Sequence, residues 1–335
     1  MSHPDIAGKD AAPVRPAPPG AALLTLRSDE LEVTLLPGKG ADIYSIVDRS
    51  TGIDVLFKSP WGWRDPRSLP GGTDSKVDWL ARYPGGWQQL VPNAGEARVV
   101  DSVTRGFHGE AAVVPWTVLH GSDTAVRLTV DLTSAPLRLD RQVVLDGTSL
   151  SVTDAIRNLS PDPVEFMWVQ HPVFGAPFVD EHARIDTGAR VLISDAEAPG
   201  TVLPADAVFD FPHASDVDGG FVDLRVIPGQ DAAREVFGVL TDFAGAWFSI
   251  ISPTAGFGIR VDWDPDAYPH AWFWQECHAS RGFPWFRRAY AIAVEPANVL
   301  PGSGRVGRWE RGRSASLGGS ESRVARVRFS RTPLP

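Results

Sequence analysis

The sequence predicts an all-β protein of stacked, mainly antiparallel sheets. Three observations carry this expectation. Short apolar runs with period-two alternation recur from about residue 23 to the C-terminus, Gly and Pro punctuate the gaps between them, and helical periodicity is nearly absent. With 32 glycines and 29 prolines, the 335-residue chain is rich in turn formers and poor in uninterrupted stretches long enough for helices.

The predicted strands begin with LEVTLLP (31–37) and ADIYSIVD (41–48). They continue through AVRLTVDL (125–132), RLDRQVVLD (138–146), SLSVTDAIRNLS (149–160) and VEFMWVQHPVFG (164–175). The last four are AWFSIISP (246–253), FGIRVDW (257–263), RRAYAIAVEP (287–296) and RVARVRFS (323–330). Alternation within these runs places one face on a core and the other toward water or a second layer. The best helical segment, DWLARY (78–83), is long enough for only a turn or two. Residues 199–224 form a long, turn-rich stretch of the kind that lines binding sites on β scaffolds. Residues 1–22, rich in Pro, Ala and Gly, read as a disordered tail, and residues 23–335 as a single domain without internal repeat or linker.

Composition narrows the function. Against 32 Lys and Arg stand 41 Asp and Glu, and a formal charge of −9 disfavours nucleic acid or an anionic membrane as the main partner. Cys277 is the only cysteine, which excludes an internal disulfide and a Cys-based zinc site. No apolar stretch has signal-peptide or membrane-spanning character, so the expected setting is the cytoplasm. There is no HExxH, no G-x-S-x-G and no Walker loop, and Gly38-Lys39-Gly40 lacks the third glycine of a dinucleotide fingerprint. No metal or organic cofactor is expected.

Three segments place ionisable groups beside aromatics and turn residues. Residues 83–116 contain Trp87, Gln88, Asn93, Arg98, Arg105, His108 and Glu110. WVQHPVFGAPF (168–178) carries His171, and AWFWQECHASRG (271–282), with Trp274 and Glu276, pairs with AIAVEPAN (291–298), which carries Glu295. His171 and Glu295 are each followed by Pro, which cannot donate to a sheet ladder; both strands are therefore expected to stop there, leaving the side chains near a rim. A carboxylate closing an apolar run loses hydration and its pKa rises, so it becomes a plausible acid or base near neutrality, where histidine is already poised. His120, His182 and His278 lack such neighbours and read as structural. Trp87, Trp168, Trp272 and Trp274 lie in loop-rich segments where a ring could stack on the C–H face of a pyranose.

The order of these segments resembles the aldose 1-epimerase (mutarotase) family of the galactose mutarotase-like superfamily. The likeness runs from LEVTLLPGKGADIYSIVDRSTGIDVLF (31–57) through GFHGEA, IRNLSPDPVEFMWVQHPVFG and FDFPHASDVDGGF to AIAVEPAN. It implies a β-supersandwich whose concave face binds a monosaccharide without a cofactor, and anomer interconversion with His171 as general acid and Glu295 as general base. It further implies sugar contacts from His108 and Asp218. The family's substrate arginine has no clear counterpart, and Arg105 or Arg98 stands in its place. With Trp87, Gln88, Asn93, Trp274 and Glu276, these complete the candidate substrate-binding set. Two other readings remain open at this point: a non-catalytic sugar-binding module, and an enzyme of elimination or glycoside cleavage on the same fold.

Overall fold

The computed structural model of the chain describes residues 23–64, 72 and 74–335, so the tail expected at 1–22 lies outside the described residues. Sixteen strands join one antiparallel sheet. In chain order they are β1 (Leu24–Arg27), β2 (Leu31–Leu36), β3 (Asp42–Asp48), β4 (Trp87–Leu90), β5 (Thr117–Gly121) and β6 (Ala125–Asp131). Next come β7 (Leu137–Asp146), β8 (Ser149–Asn158), β9 (Val169–Gly175), β10 (Arg184–Ser194) and β11 (Val208–Asp210). The last five are β12 (Arg234–Ser252), β13 (Phe257–Trp263), β14 (His270–Cys277), β15 (Tyr290–Ala297) and β16 (Ser322–Thr332). Hydrogen bonding runs β1-β2-β3-β4-β9-β15-β14-β12-β13-β16-β8-β7-β6-β5, with β10 and β11 branching from β12.

The two ends of this path pack face to face. Val33, Leu35 and Ile43 from one end share a core with Leu128, Leu139, Val143 and Val152 from the other, which makes the sheet a sandwich. Outer strands such as β7 alternate buried and exposed residues, whereas every residue of β9 and β15 is buried. The central strands are thus covered on both faces, and their near-continuous apolar sequences have that cause. Their second face carries a separate cluster that includes Leu90, Val169, Val173 and Trp272.

Each run expected to be a strand falls on one, with two differences. Residues 164–175 divide into a short strand, Val164–Phe166, and β9. Residues 246–253 are the end of the 19-residue β12. The helix-like segment forms α1 (Ser75–Ala81), whose N-terminus is capped by the Asp74 carboxylate accepting from the Lys76 and Val77 amides. No helix among the described residues is long and apolar enough to cross a membrane.

A buried polar knot ties the layers together. Arg141 donates to Asp154 through Nε (2.8 Å) and Nη2 (2.9 Å), Gln170 donates to the same carboxylate (2.8 Å), and Trp87 Nε1 donates to Gln170 Oε1 (2.9 Å). Arg141 and Asp154 have almost no solvent exposure, so removing one partner leaves an uncompensated buried charge. Arg141→Met is expected to lower the unfolding free energy by about 3–5 kcal/mol. Urea denaturation checks this as a reduced midpoint at unchanged slope.

Candidate functional site

Alternate residues of a strand face opposite sides of the sheet, and that parity selects the site. On β15 the face opposite the main core carries Ala291, Ala293, Glu295 and Ala297, so Glu295 is the one long side chain rising from it. On β9 the same face carries Val169, His171 and Val173. The β9–β15 ladder pairs Val169 with Ala297 and Val173 with Ala293; counting inward places His171 opposite Glu295. The pairs between these two are unbonded, and Pro172 and Pro296 both fall within that gap. The prolines therefore open the ladder locally instead of ending the strands. This corrects the expectation of two strand ends at a rim: both side chains stand at the middle of the sheet.

Neighbouring strands extend the row. His171 pairs with Gln88 on β4, and Glu295 with Trp272 on β14. Ile43 pairs with Trp87, so Asp42 stands beside Gln88. Asp42, Gln88, His171, Glu295 and Trp272 thus lie abreast across five strands.

A cavity of about 650 Å³ opens above His171 and Glu295. His171 Nε2 lies 3.6 Å from Glu295 Oε1. Its ring is boxed edge-on by Trp79 (5.9 Å between centroids) and Tyr83 (5.8 Å), which stack on one another at 5.0 Å. Trp285 meets Tyr83 edge-on at 6.2 Å and continues the wall to Trp274 at 5.7 Å. His108 has a left-handed backbone (φ 58°) and is clamped onto Gly95: its amide donates to the Gly95 carbonyl, and its Nδ1 accepts from the Gly95 amide, both at 3.0 Å. An Nδ1 that accepts carries no proton, so His108 holds its proton on Nε2.

Burial dominates the electrostatics. It pushes the Glu295 carboxyl well above the usual range. It lowers the His171 imidazole to about 4, with the Lys39 charge adding to the shift and a hydrogen bond to the residue's own backbone opposing it. His108 is depressed further by burial, then by His171 and Lys76. Tyr83 is raised by burial and by the Glu295 and Asp42 charges, so it stays a phenol. Desolvation penalises both charges and so favours the pair in which the carboxyl holds the proton and the imidazole is neutral over the protonated His171 and ionised Glu295 of the expectation.

Five buried polar atoms of cavity-lining residues have no hydrogen-bond partner in the protein: Glu295 Oε2, Tyr83 OH, Trp79 Nε1, Asn93 Oδ1 and Arg311 Nε. Such atoms are costly unless a ligand or solvent satisfies them. They mix donors with acceptors, the pattern that complements hydroxyl groups.

Of the sequence candidates, His171, Glu295, His108, Asn93, Arg98, Trp272 and Trp274 line this cavity. The others do not. Trp87 points to the opposite sheet face, into the main core. Gln88 is fully buried beside His171. Arg105 turns away to donate to the Glu165 carbonyl (2.7 Å), and it is Arg98 that reaches the cavity wall. Asp218 is exposed in the turn Asp216–Gly220, where its amide donates to Asp216. Glu276 is fully buried and accepts from the Ala279 and Ser280 amides, bracing a loop. The stretch 199–224 contains three short strands and contributes nothing to the lining. Trp272 and Trp274 stand on β14 rather than in a loop.

Sequence reasoning missed Trp79, Tyr83 and Glu235. The i, i+4 spacing of Trp79 and Tyr83 in the one helical segment was the available signal. Glu235 lines the cavity next to Trp274, its pKa raised by burial and by Glu276, its cross-strand neighbour. Among the described residues no cluster of three His, Cys, Asp or Glu forms a metal site.

The family model described as "Domain of unknown function (DUF4432)" matches residues 19–330. No curated protein matches the chain by sequence. Among solved structures, the Slr1438 protein of Synechocystis sp. PCC 6803 is 18% identical with a TM-score of 0.68, covering 96% of this chain and 100% of its own. A protein from Escherichia coli K12 named as a candidate aldose 1-epimerase is 18% identical, with a TM-score of 0.68 and coverage of 94% and 100%. A galactose mutarotase-like protein from Lactobacillus casei ATCC 334 is 16% identical, with a TM-score of 0.62 and coverage of 92% and 100%. At such identities the likeness establishes the fold. The chain therefore belongs to the DUF4432 family and is built as a galactose mutarotase-like β-sandwich.

Proposed function

We propose that the cavity binds a monosaccharide and that His171 and Glu295 interconvert its α and β anomers by opening and reclosing the ring. The observation that carries this reading is the central pair: an imidazole and a carboxyl 3.6 Å apart at the base of a cavity whose unpartnered atoms suit hydroxyls. The names of the structural neighbours point the same way.

Ring opening needs one group to take the proton of the anomeric hydroxyl and one to give a proton to the ring oxygen. A pair holding a single proton provides both at once. From the resting state, His171 Nε2 is the acceptor and the Glu295 carboxyl the donor. Moving the proton to His171 exchanges the roles, and the hydroxyls of a bound sugar reduce the cost of the charges that this creates. Rotation about C1–C2 and reversed transfers close the other anomer. His108 Nε2–H and the Tyr83 hydroxyl supply donors that fix the sugar, and fixing both reacting oxygens supplies much of the rate advantage.

Glu295→Gln and His171→Asn are each expected to lower mutarotation by roughly 10²- to 10⁴-fold. Polarimetry on freshly dissolved α-glucose and α-galactose checks this; saturable binding with no acceleration by the unaltered protein would favour a binding module instead. A second proton joins the pair only as pH falls to the His171 value, so the acid limb of the rate profile is expected near pH 4, not 6.5.

The same shifts affect stability. The folded-state pKa of Glu295 lies above its unfolded value, so its contribution is intact below the unfolded pKa and is lost as pH rises toward the folded one. Glu295→Gln cannot ionise. It is expected to unfold at a higher temperature than the unaltered protein at pH 8, with the difference shrinking toward pH 4.5, the ordinary value of a glutamate carboxyl. Calorimetry across that range decides the sign.

A further inference from the structure

Beside the reacting pair, along the same row, lie buried polar groups that the proton transfer itself does not use. Gln88 is fully buried and cannot reach the cavity. Its Nε2 donates to the Gly85 carbonyl (2.9 Å) and to Asp42 Oδ2 (3.1 Å). A backbone carbonyl accepts only, so the amide cannot be reversed, and Gln88 Oε1 must face His171 Nδ1 at 3.3 Å. Gly85 is irreplaceable at this point: its φ is +90°, and an added Cβ would sit 2.1 Å from the Phe57 carbonyl oxygen.

Asp42 is held in turn by Lys39. The two form an ion pair with side-chain exposures of 2% and 0%, and the Lys39 ammonium also lies 5.7 Å from the Trp79 ring that walls the cavity. A buried ion pair brings little net stability, and breaking it is costly. One that ends a chain of hydrogen bonds leading to a reactive imidazole has a more specific use.

We propose that Gln88, anchored by Gly85 and by the Lys39–Asp42 pair, is a positioning residue that fixes the proton of neutral His171 on Nδ1. The lone pair of Nε2 then faces Glu295 and the cavity. Imidazole in water favours the opposite form, with the proton on Nε2, which would turn a donor toward Glu295 and leave the pair without an acceptor. The significance for turnover rests on the anomer-exchange reading above; the tautomer itself does not.

The test is nitrogen-15 NMR on protein labelled at histidine, with the His171 signals identified by their loss in His171→Asn. At pH 7 the unaltered protein is expected to show a protonated Nδ1 and an unprotonated Nε2 for His171, and the reverse for His108. Gln88→Met, which keeps the length but removes the acceptor, is expected to shift His171 toward the Nε2–H form. Its mutarotation kcat should fall roughly 10- to 100-fold with KM little changed, the scale on which hydrogen bonds that orient a functional imidazole act. Gln88→Glu, which still presents an oxygen to Nδ1, is expected to restore the Nδ1–H form. A His171 protonated on Nε2 in the unaltered protein overturns the proposal, as does an unchanged Nδ1–H signal in folded Gln88→Met. If the tautomer behaves as stated while no preparation accelerates anomer exchange, the positioning role stands and the epimerase reading falls.

Discussion

Strand register is the constraint on which this site depends. Five strands, β3, β4, β9, β15 and β14, must align so that Asp42, Gln88, His171, Glu295 and Trp272 stand abreast on one face. Because side chains alternate, a slip of one residue in β9 or β15 would bury His171 or Glu295 in the main core and turn an apolar neighbour into the cavity. The alignment is guarded from the other side of the sheet. Gln170, adjacent to His171, is bonded to Trp87, Asp154 and Tyr268, and those partners are satisfied only in this register. A polar network inside an apolar core is a poor source of net stability but an effective selector among alignments.

Burial also sets the electrostatics of the site. His171 and Glu295 are 8% and 3% exposed, and the loss of hydration lowers the proton affinity of the imidazole and raises that of the carboxyl. The protein thereby accepts a cost: an ionisable carboxyl and unpartnered donors and acceptors are kept at the base of a cavity where an apolar lining would be more stable. Stability conceded in one place is characteristic of functional sites. Aromatic rings limit the concession: Trp79, Tyr83, Trp274 and Trp285 line the walls, and of their polar atoms the Trp79 Nε1 and the Tyr83 hydroxyl are left without a protein partner.

Much of the fold was legible because period-two alternation is a direct consequence of sheet geometry, and runs such as RLDRQVVLD show it residue by residue. The fully buried central strands were also visible as apolar runs. What could not be read was which face of those strands met the cavity. Trp87 and Gln88 are adjacent in sequence and point to opposite sides, and an apolar run without alternation does not label its two faces. His171 and Glu295 were found through their prolines, although the prolines open a ladder and do not end it. Lys39 and Asp42 were invisible for a different reason: their partner Gln88 is 46 residues beyond Asp42, and nothing local to GKGAD reveals a buried ion pair. Asp218 matched a sequence pattern, but its turn is held by its own backbone contacts and never approaches the cavity.

The proposed reaction makes a single geometric demand of a sugar: two neighbouring oxygens on one carbon must come to His171 Nε2 and the Glu295 carboxyl together. A crystal structure of the protein soaked in a pyranose measures this directly. The account predicts the anomeric carbon above the pair, with its hydroxyl and the ring oxygen each within hydrogen-bond distance of one of the two groups. A sugar bound elsewhere, or seated in the cavity with its anomeric centre turned away from the pair, would contradict it.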